Sequence, residues 1–94
     1  MIILTNRVRV LELVRDGLTL HIHDGVSRSI SLPLRARPVV DDIEARVRFW
    51  SRAQPTWSPE QLAIHALWER GCAVAAQNRR RFGRVFRHGR PPQG

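Results

Sequence analysis

Two Asp-Gly pairs, Asp16-Gly17 and Asp24-Gly25, each stand between runs of apolar residues in the first third of the chain. Asp-Gly in that setting is a strong hairpin signal, because tight hairpin turns need backbone with φ above zero. The segment reads as a three-stranded antiparallel β-meander, with Val8 to Val14, Leu18 to His23 and Val26 to Leu32 as its strands. In the second, Leu18, Leu20 and Ile22 alternate with Thr19, His21 and His23, so one face is expected to be buried. In the third, Val26, Ile30 and Leu32 alternate with Ser27, Ser29 and Ser31, and Arg28 breaks the apolar row. A three-residue bulged loop closed by Gly25 brings the two apolar rows into line. The first strand carries aliphatics on both sides, Val8, Val10 and Val14 against Leu11 and Leu13, and is expected to be covered on both. Ile2 to Leu4 has the composition of a short extra strand.

After residue 32 the pattern changes from period two to period 3.6. Residues 33–40, with prolines at both Pro33 and Pro38, read as an extended connector. A helix over 41–53 follows, with Asp41 and Glu44 at capping-box spacing and Ile43, Val47 and Trp50 as its stripe. Asp42 with Arg46 and Glu44 with Arg48 are i,i+4 pairs on a face expected to be solvated. Pro55 ends this helix. A second helix over 59–88 opens on Ser58, Pro59 and Gln61, a cap, a first-turn proline and a completed box. At 100° per residue, Ala63, Ile64, Leu67, Trp68, Gly71, Val74 and Ala75 share one arc, which Asn78, Phe82, Val85 and Phe86 extend. On the opposite side Arg80, Arg84 and Arg87 fall into one row. A break near Gly71 or Asn78 is the alternative to a continuous helix.

The expectation is thus a single α+β domain over residues 1–90, with a sheet in 2–32 followed by two helices, the second long and amphipathic, and a flexible tail at 91–94. The second helix outruns what one copy can cover. Gly71, Ala75, Phe82, Val85 and Phe86 are therefore read as a homodimer or partner interface.

Charge is distributed as unevenly as hydropathy. All sixteen basic residues are arginine, against eight acids, for a net charge of +8. Arginine's planar fork suits phosphate and carboxylate, although a GC-rich genome produces the same bias. Residues 70–94 hold seven arginines and no acid: Arg70, Arg79, Arg80, Arg81, Arg84, Arg87 and Arg90. Such a segment fits nucleic acid, an anionic membrane surface or an acidic protein. Phenylalanines interleave with its arginines, and can pack on protein or stack on bases.

Chemistry beyond binding finds little support. His21 and His23 share one strand side, and His65, Glu69 and Cys72 share the less apolar side of the second helix, but joining the groups into a zinc site requires a special docking. They read as exposed strand histidines, with no metal and no cofactor. Cys72 lies seven residues from His65 on one helix, too far for a shared hydrogen bond, and reads as a small core residue. No phosphate loop, nucleophile elbow or His-Glu-x-x-His occurs, so the chain is not read as an enzyme. Trp50 and Trp68 are expected in the core and Trp57 in the staple position against Leu62, with base stacking by Trp57 or Phe49 the lesser reading. With no membrane span and no signal h-region, the cytoplasm is the expected location.

Two function classes follow. The first is a nucleic-acid-binding or regulatory protein gripping DNA or RNA phosphates through Arg79, Arg80, Arg81, Arg84, Arg87 and Arg90. The second is a small inhibitor or adaptor, of the anti-defence kind that phages and mobile elements encode, binding an acidic or nucleic-acid-handling protein.

Overall fold

A computed structural model describes residues 1–6, 9–25 and 28–89, the stretch 81–89 by its backbone alone. The fold is α+β: strands β1 (Ile2–Thr5), β2 (Val10–Asp16), β3 (Thr19–His23) and β4 (Ser29–Pro33), then helices α1 (Arg37–Ala53) and α2 (Pro59–Gly89). The strands form one antiparallel sheet in the order β1-β2-β3-β4. The sheet has four strands where three were expected, because Ile2–Thr5 pairs along β2 from Ile2 opposite Leu13 to Thr5 opposite Val10. The turn joining them holds no Gly signal. Asn6 supplies it, its Oδ1 accepting from Arg9 N at 3.0 Å while its Nδ2 donates to Ser51 O at 3.1 Å, which ties the turn to the end of α1.

Register explains the other departures in the sheet. Asp16 pairs with Thr19, so the β2–β3 turn is Gly17-Leu18 with Gly17 at φ +64°, and Leu18 is an exposed turn residue instead of a core one. Across β3 and β4, Ile22 meets Ile30 and Leu20 meets Leu32, so the apolar rows align as expected. They do so around residues 24–28, a longer connection than a three-residue loop. Asp24 N donates to Arg28 O at 2.9 Å and Arg28 N to Asp24 Oδ1 at 3.0 Å. Val8, Val26 and Ser27 lie outside the described residues.

Both helices cover one face of this sheet. Leu11, Leu13, Leu20, Ile22 and Leu32 meet Ile43 and Val47 of α1 and Leu62, Ala63 and Ala66 of α2 in one buried cluster. Each of the Leu, Ile and Val side chains contributes about 1.5–3 kcal/mol by leaving water. The other sheet face stays open, with Ile3 and Val10 exposed, so β2 is not covered on both sides. His21 and His23 lie on that open face, stacked at 6.2 Å, and His21 Nδ1 is 2.7 Å from Ser31 Oγ.

Helix α1 begins at Arg37, four residues before the expected start, and its N-cap Ala36 makes no side-chain cap. Pro38 falls in the first turn, where its missing N–H has no helical partner to lose, so it begins a helix here instead of delaying one. Asp41 and Glu44 serve the sheet and not a cap: Arg15 of β2 reaches Asp41 Oδ1 at 2.7 Å and Glu44 Oε2 at 2.9 Å. Glu44 is thereby drawn out of its expected pairing with Arg48 and buried. Helix α2 opens on the expected capping box, Ser58 N donating to Gln61 Oε1 at 2.8 Å and Gln61 N to Ser58 Oγ at 3.2 Å. Its backbone is helical through Gly71 and Gly83 to Gly89.

Candidate nucleic-acid interface

Helix α2 has two different halves. The first three turns are fastened to α1 by buried small side chains and by a network of charges. Arg46 donates to Asp42 Oδ2 at 3.0 Å and to Glu69 Oε1 at 2.7 Å, and Arg70 donates to the same Asp42 oxygen at 2.8 Å. Trp50 Nε1 adds a hydrogen bond to Glu69 Oε1 at 3.2 Å. Burial raises the carboxyls of Asp42 and Glu69, but the hydrogen bonds they accept outweigh it, so both titrate below their ordinary range. The hydrogen bonds to Glu69 and Asp42 hold Arg46 above its ordinary value. The Asp42–Arg46 face, expected to be solvated, is therefore an interhelix lock, and the lock ends at Arg70.

Beyond Arg70 the helix leaves the core. Residues 71–80 are exposed apart from half-buried Ala76. This arm carries Arg79 and Arg80 on described side chains, and its backbone carries positions 81, 84 and 87 on to the helix end at Gly89. Arg90 and residues 91–94 lie outside the described residues. The helical backbone thus carries five of the six candidate positions, 79, 80, 81, 84 and 87, on one segment with no acid in it.

Of the expected apolar arc through Ala75, Ala63 alone faces the core. The core takes Leu62, Ala63 and Ala66, whereas Ile64 is 65% exposed, Trp68 62%, and Leu67, Gly71, Val74 and Ala75 are exposed too. Close approach of α1 selects small residues on the inner side, and the bulky ones are left outside. Gly71 and Ala75 lie on this outer face, and a Cβ built on Gly71 meets nothing within 4 Å beyond its own helix turn, so none of the described elements requires glycine there. Cys72 is likewise exposed and not a core residue. For Phe82, Val85 and Phe86 the backbone continues the helix.

Trp68 is the edge of an aromatic cluster that period reasoning did not reveal. Trp57 stacks on Trp50 at 5.6 Å between ring centroids, and His65 sits 4.5 Å from Trp50, 5.1 Å from Trp57 and 5.6 Å from Trp68. Phe49, exposed, meets Trp50 edge to face at 5.1 Å. Trp57 stands beside the Ser58 cap and packs against the buried cluster that includes Leu62, with further ring contacts to Trp50 and His65. Trp57, Gln61, Ile64, His65 and Trp68 line an open pocket of about 320 Å³. The sequence held one signal for it: Trp57, Gln61, His65 and Trp68 recur at intervals of four, four and three residues, a helical row that starts before the helix does.

Among the described residues, no three His, Cys, Asp or Glu side chains come together as a metal site, and no helix is long and apolar enough to cross a membrane. His21 and His23 are not joined to His65, Glu69 and Cys72. The chain matches no protein-family model, no curated protein and no solved structure.

Proposed function

We propose that the protein binds nucleic acid, gripping the phosphate backbone of DNA or RNA with the arginines of the α2 arm, and that it works by binding and not by catalysis. The observation that carries this reading is the continuation of α2 past Arg70, clear of the core, through a stretch with five arginines and no acid. A row at 80, 84 and 87 repeats every four and three residues, so a helix holds those positions on one side. Neutralising about six phosphates makes affinity fall roughly 1,000-fold or more between 50 and 200 mM salt. The test is fluorescence anisotropy with labelled DNA and RNA over that range. Truncation after Asn78 is expected to abolish binding while the core, locked no further than Arg70, still melts cooperatively. Arg80→Glu with Arg84→Glu and Arg87→Glu is expected to do the same. Charge-reversed protein that binds with wild-type affinity would overturn the reading.

A second reading is favoured by the outward face of α2. Leu67, Gly71, Val74 and Ala75 form an apolar strip left exposed among the described residues. A second copy covering it makes the protein a homodimer. An acidic or nucleic-acid-handling protein covering it makes the chain an inhibitor or adaptor, a role for a soluble protein acting in the cytoplasm.

A further inference from the structure

The pocket beside Trp68 has a composition that the core does not need. Trp50 and Trp57 pack against the buried cluster, but Trp68 adds a further indole with most of its surface in water. With His65 in ring contact with both Trp57 and Trp68, the walls are flat π-surfaces, and Ile64 supplies an apolar side. A volume near 320 Å³ is at the small end of ligand sites. It has room for one planar heterocycle.

The electrostatics choose among planar ligands. A cation in an aromatic cage gains from a nearby unpaired carboxylate, and the acid of this region, Glu69, is paired with Arg46 and Trp50 through Oε1 and faces His65 Nε2 at 3.8 Å through Oε2. The chain's net charge of +8 opposes a cation further. Gln61 contributes the polar edge. Its Oε1 is held by the Ser58 N–H, so its Nε2 group is the one left to donate to a ring carbonyl or ring nitrogen. Arg79 lies eleven residues beyond Trp68, which at 100° per residue is 20° from three full turns, and about 16 Å further along the helix. A strand whose base enters the pocket can therefore set a phosphate at Arg79 on the same side of α2, and has to wind around the arm to reach the row at 80, 84 and 87 on the opposite side.

We infer that Trp57, Gln61, Ile64, His65 and Trp68 form a stacking site for one unpaired nucleobase, so that the ligand of this protein is single-stranded nucleic acid in preference to duplex. The inference rests on the nucleic-acid reading above and sharpens it. In a duplex both faces of each base are occupied by neighbours, and filling the pocket requires a base to be flipped out of the stack. A single strand offers its base faces freely.

The experiment compares anisotropy titrations of the full-length protein with a labelled 12-nucleotide oligothymidylate and with a labelled 12-base-pair duplex, each from 50 to 200 mM salt. The single strand is expected to bind tighter, with quenching of tryptophan fluorescence. Trp68→Ala is expected to weaken the single strand by about 5- to 150-fold, the loss of one stacked base, leaving duplex affinity and the salt slope unchanged. Trp68→Phe should recover part of the loss. Ile64→Ala, at a second exposed wall residue, should also weaken the single strand, and thermal melts of all variants should match wild type. Equal affinity for duplex and single strand, with Trp68→Ala neutral, would overturn the stacking site and leave the arginine reading standing. No salt-dependent binding to either ligand would overturn both. A Trp68→Ala variant that halves the solution mass would reassign the pocket to an interface between copies and equally overturn the proposal.

Discussion

Replacing Gly71 by alanine tests whether the outer face of α2 is as open as it stands. A helix-interior glycine costs about 1 kcal/mol against alanine, because the unfolded chain loses more freedom there. The added methyl has a cost only if something occupies its space, and among the described residues the ideal Cβ at Gly71 meets no atom within 4 Å beyond its own helix turn. Gly71 follows directly on Arg70, the last anchored residue, so the helix gain there is coupled to the folded core. Gly71→Ala is therefore expected to stabilise the protein by about 1 kcal/mol, which for a domain of this size raises Tm by about 4–8 °C. The assay is circular dichroism at 222 nm during thermal unfolding at low micromolar concentration. A lower Tm, or helix lost before melting, would mean that a neighbour packs against Gly71 and would refute the open-face argument.

Acid should loosen the interhelix lock. Asp42 and Glu69 titrate below their ordinary values in the folded protein, so the stability they contribute is fully present above the usual carboxylate range, about pH 4, and is lost as pH falls through their lowered values. Each pair is about a third exposed and is worth about 1 kcal/mol or less. Asp42→Asn with Glu69→Gln should lower Tm at pH 7 and flatten its decline between pH 6 and 3; identical pH profiles for the two proteins would contradict this. For the dimer reading, light scattering at 100 μM should return about twice the 10.8 kDa chain mass, and Phe82→Asp with Phe86→Asp should return the single mass with the sheet intact. A wild-type monomer at that concentration would remove the second copy as the cover of the strip.

What could be read in advance follows the range of the interactions involved. The alternation of Leu20 and Ile22 against His21 and His23, and the Ser58-Pro59-Gln61 start of α2, are local signals, and both correspond to observed elements. The role of Asp41 and Glu44 was misread because a capping box and a clamp on a distant arginine use the same two acids. Only the fold brings Arg15, 29 residues from Glu44, into reach. The face of α2 was misjudged for a related reason. Periodicity finds the widest apolar arc, but packing against α1 and the sheet takes Leu62, Ala63 and Ala66, an inner side on which Leu62 is the one bulky residue and which carries little weight against Ile64, Leu67, Trp68 and Val74. The exposed tryptophan and its pocket are consequences of that choice, and the arginine arm was legible because charge needs no partner within the chain to be noticed.

The arm's arginines also bear on its own helicity. Spaced at 80, 84 and 87, with 81 beside 84, they repel one another across single turns, each pair opposing the helix by about 0.2–0.5 kcal/mol. The same charges sit toward the C-terminal end, where the backbone dipole is negative and rewards a cation by about 0.3–1 kcal/mol. The two effects nearly cancel, which leaves the segment responsive to what surrounds it. On the nucleic-acid reading, a bound polyanion would remove the repulsion, so occupancy would strengthen the helix and the helix would in turn keep its arginines in register for the anion. Ligand and secondary structure would then be reciprocal effectors, and polyphosphate alone should raise the helical signal of this protein.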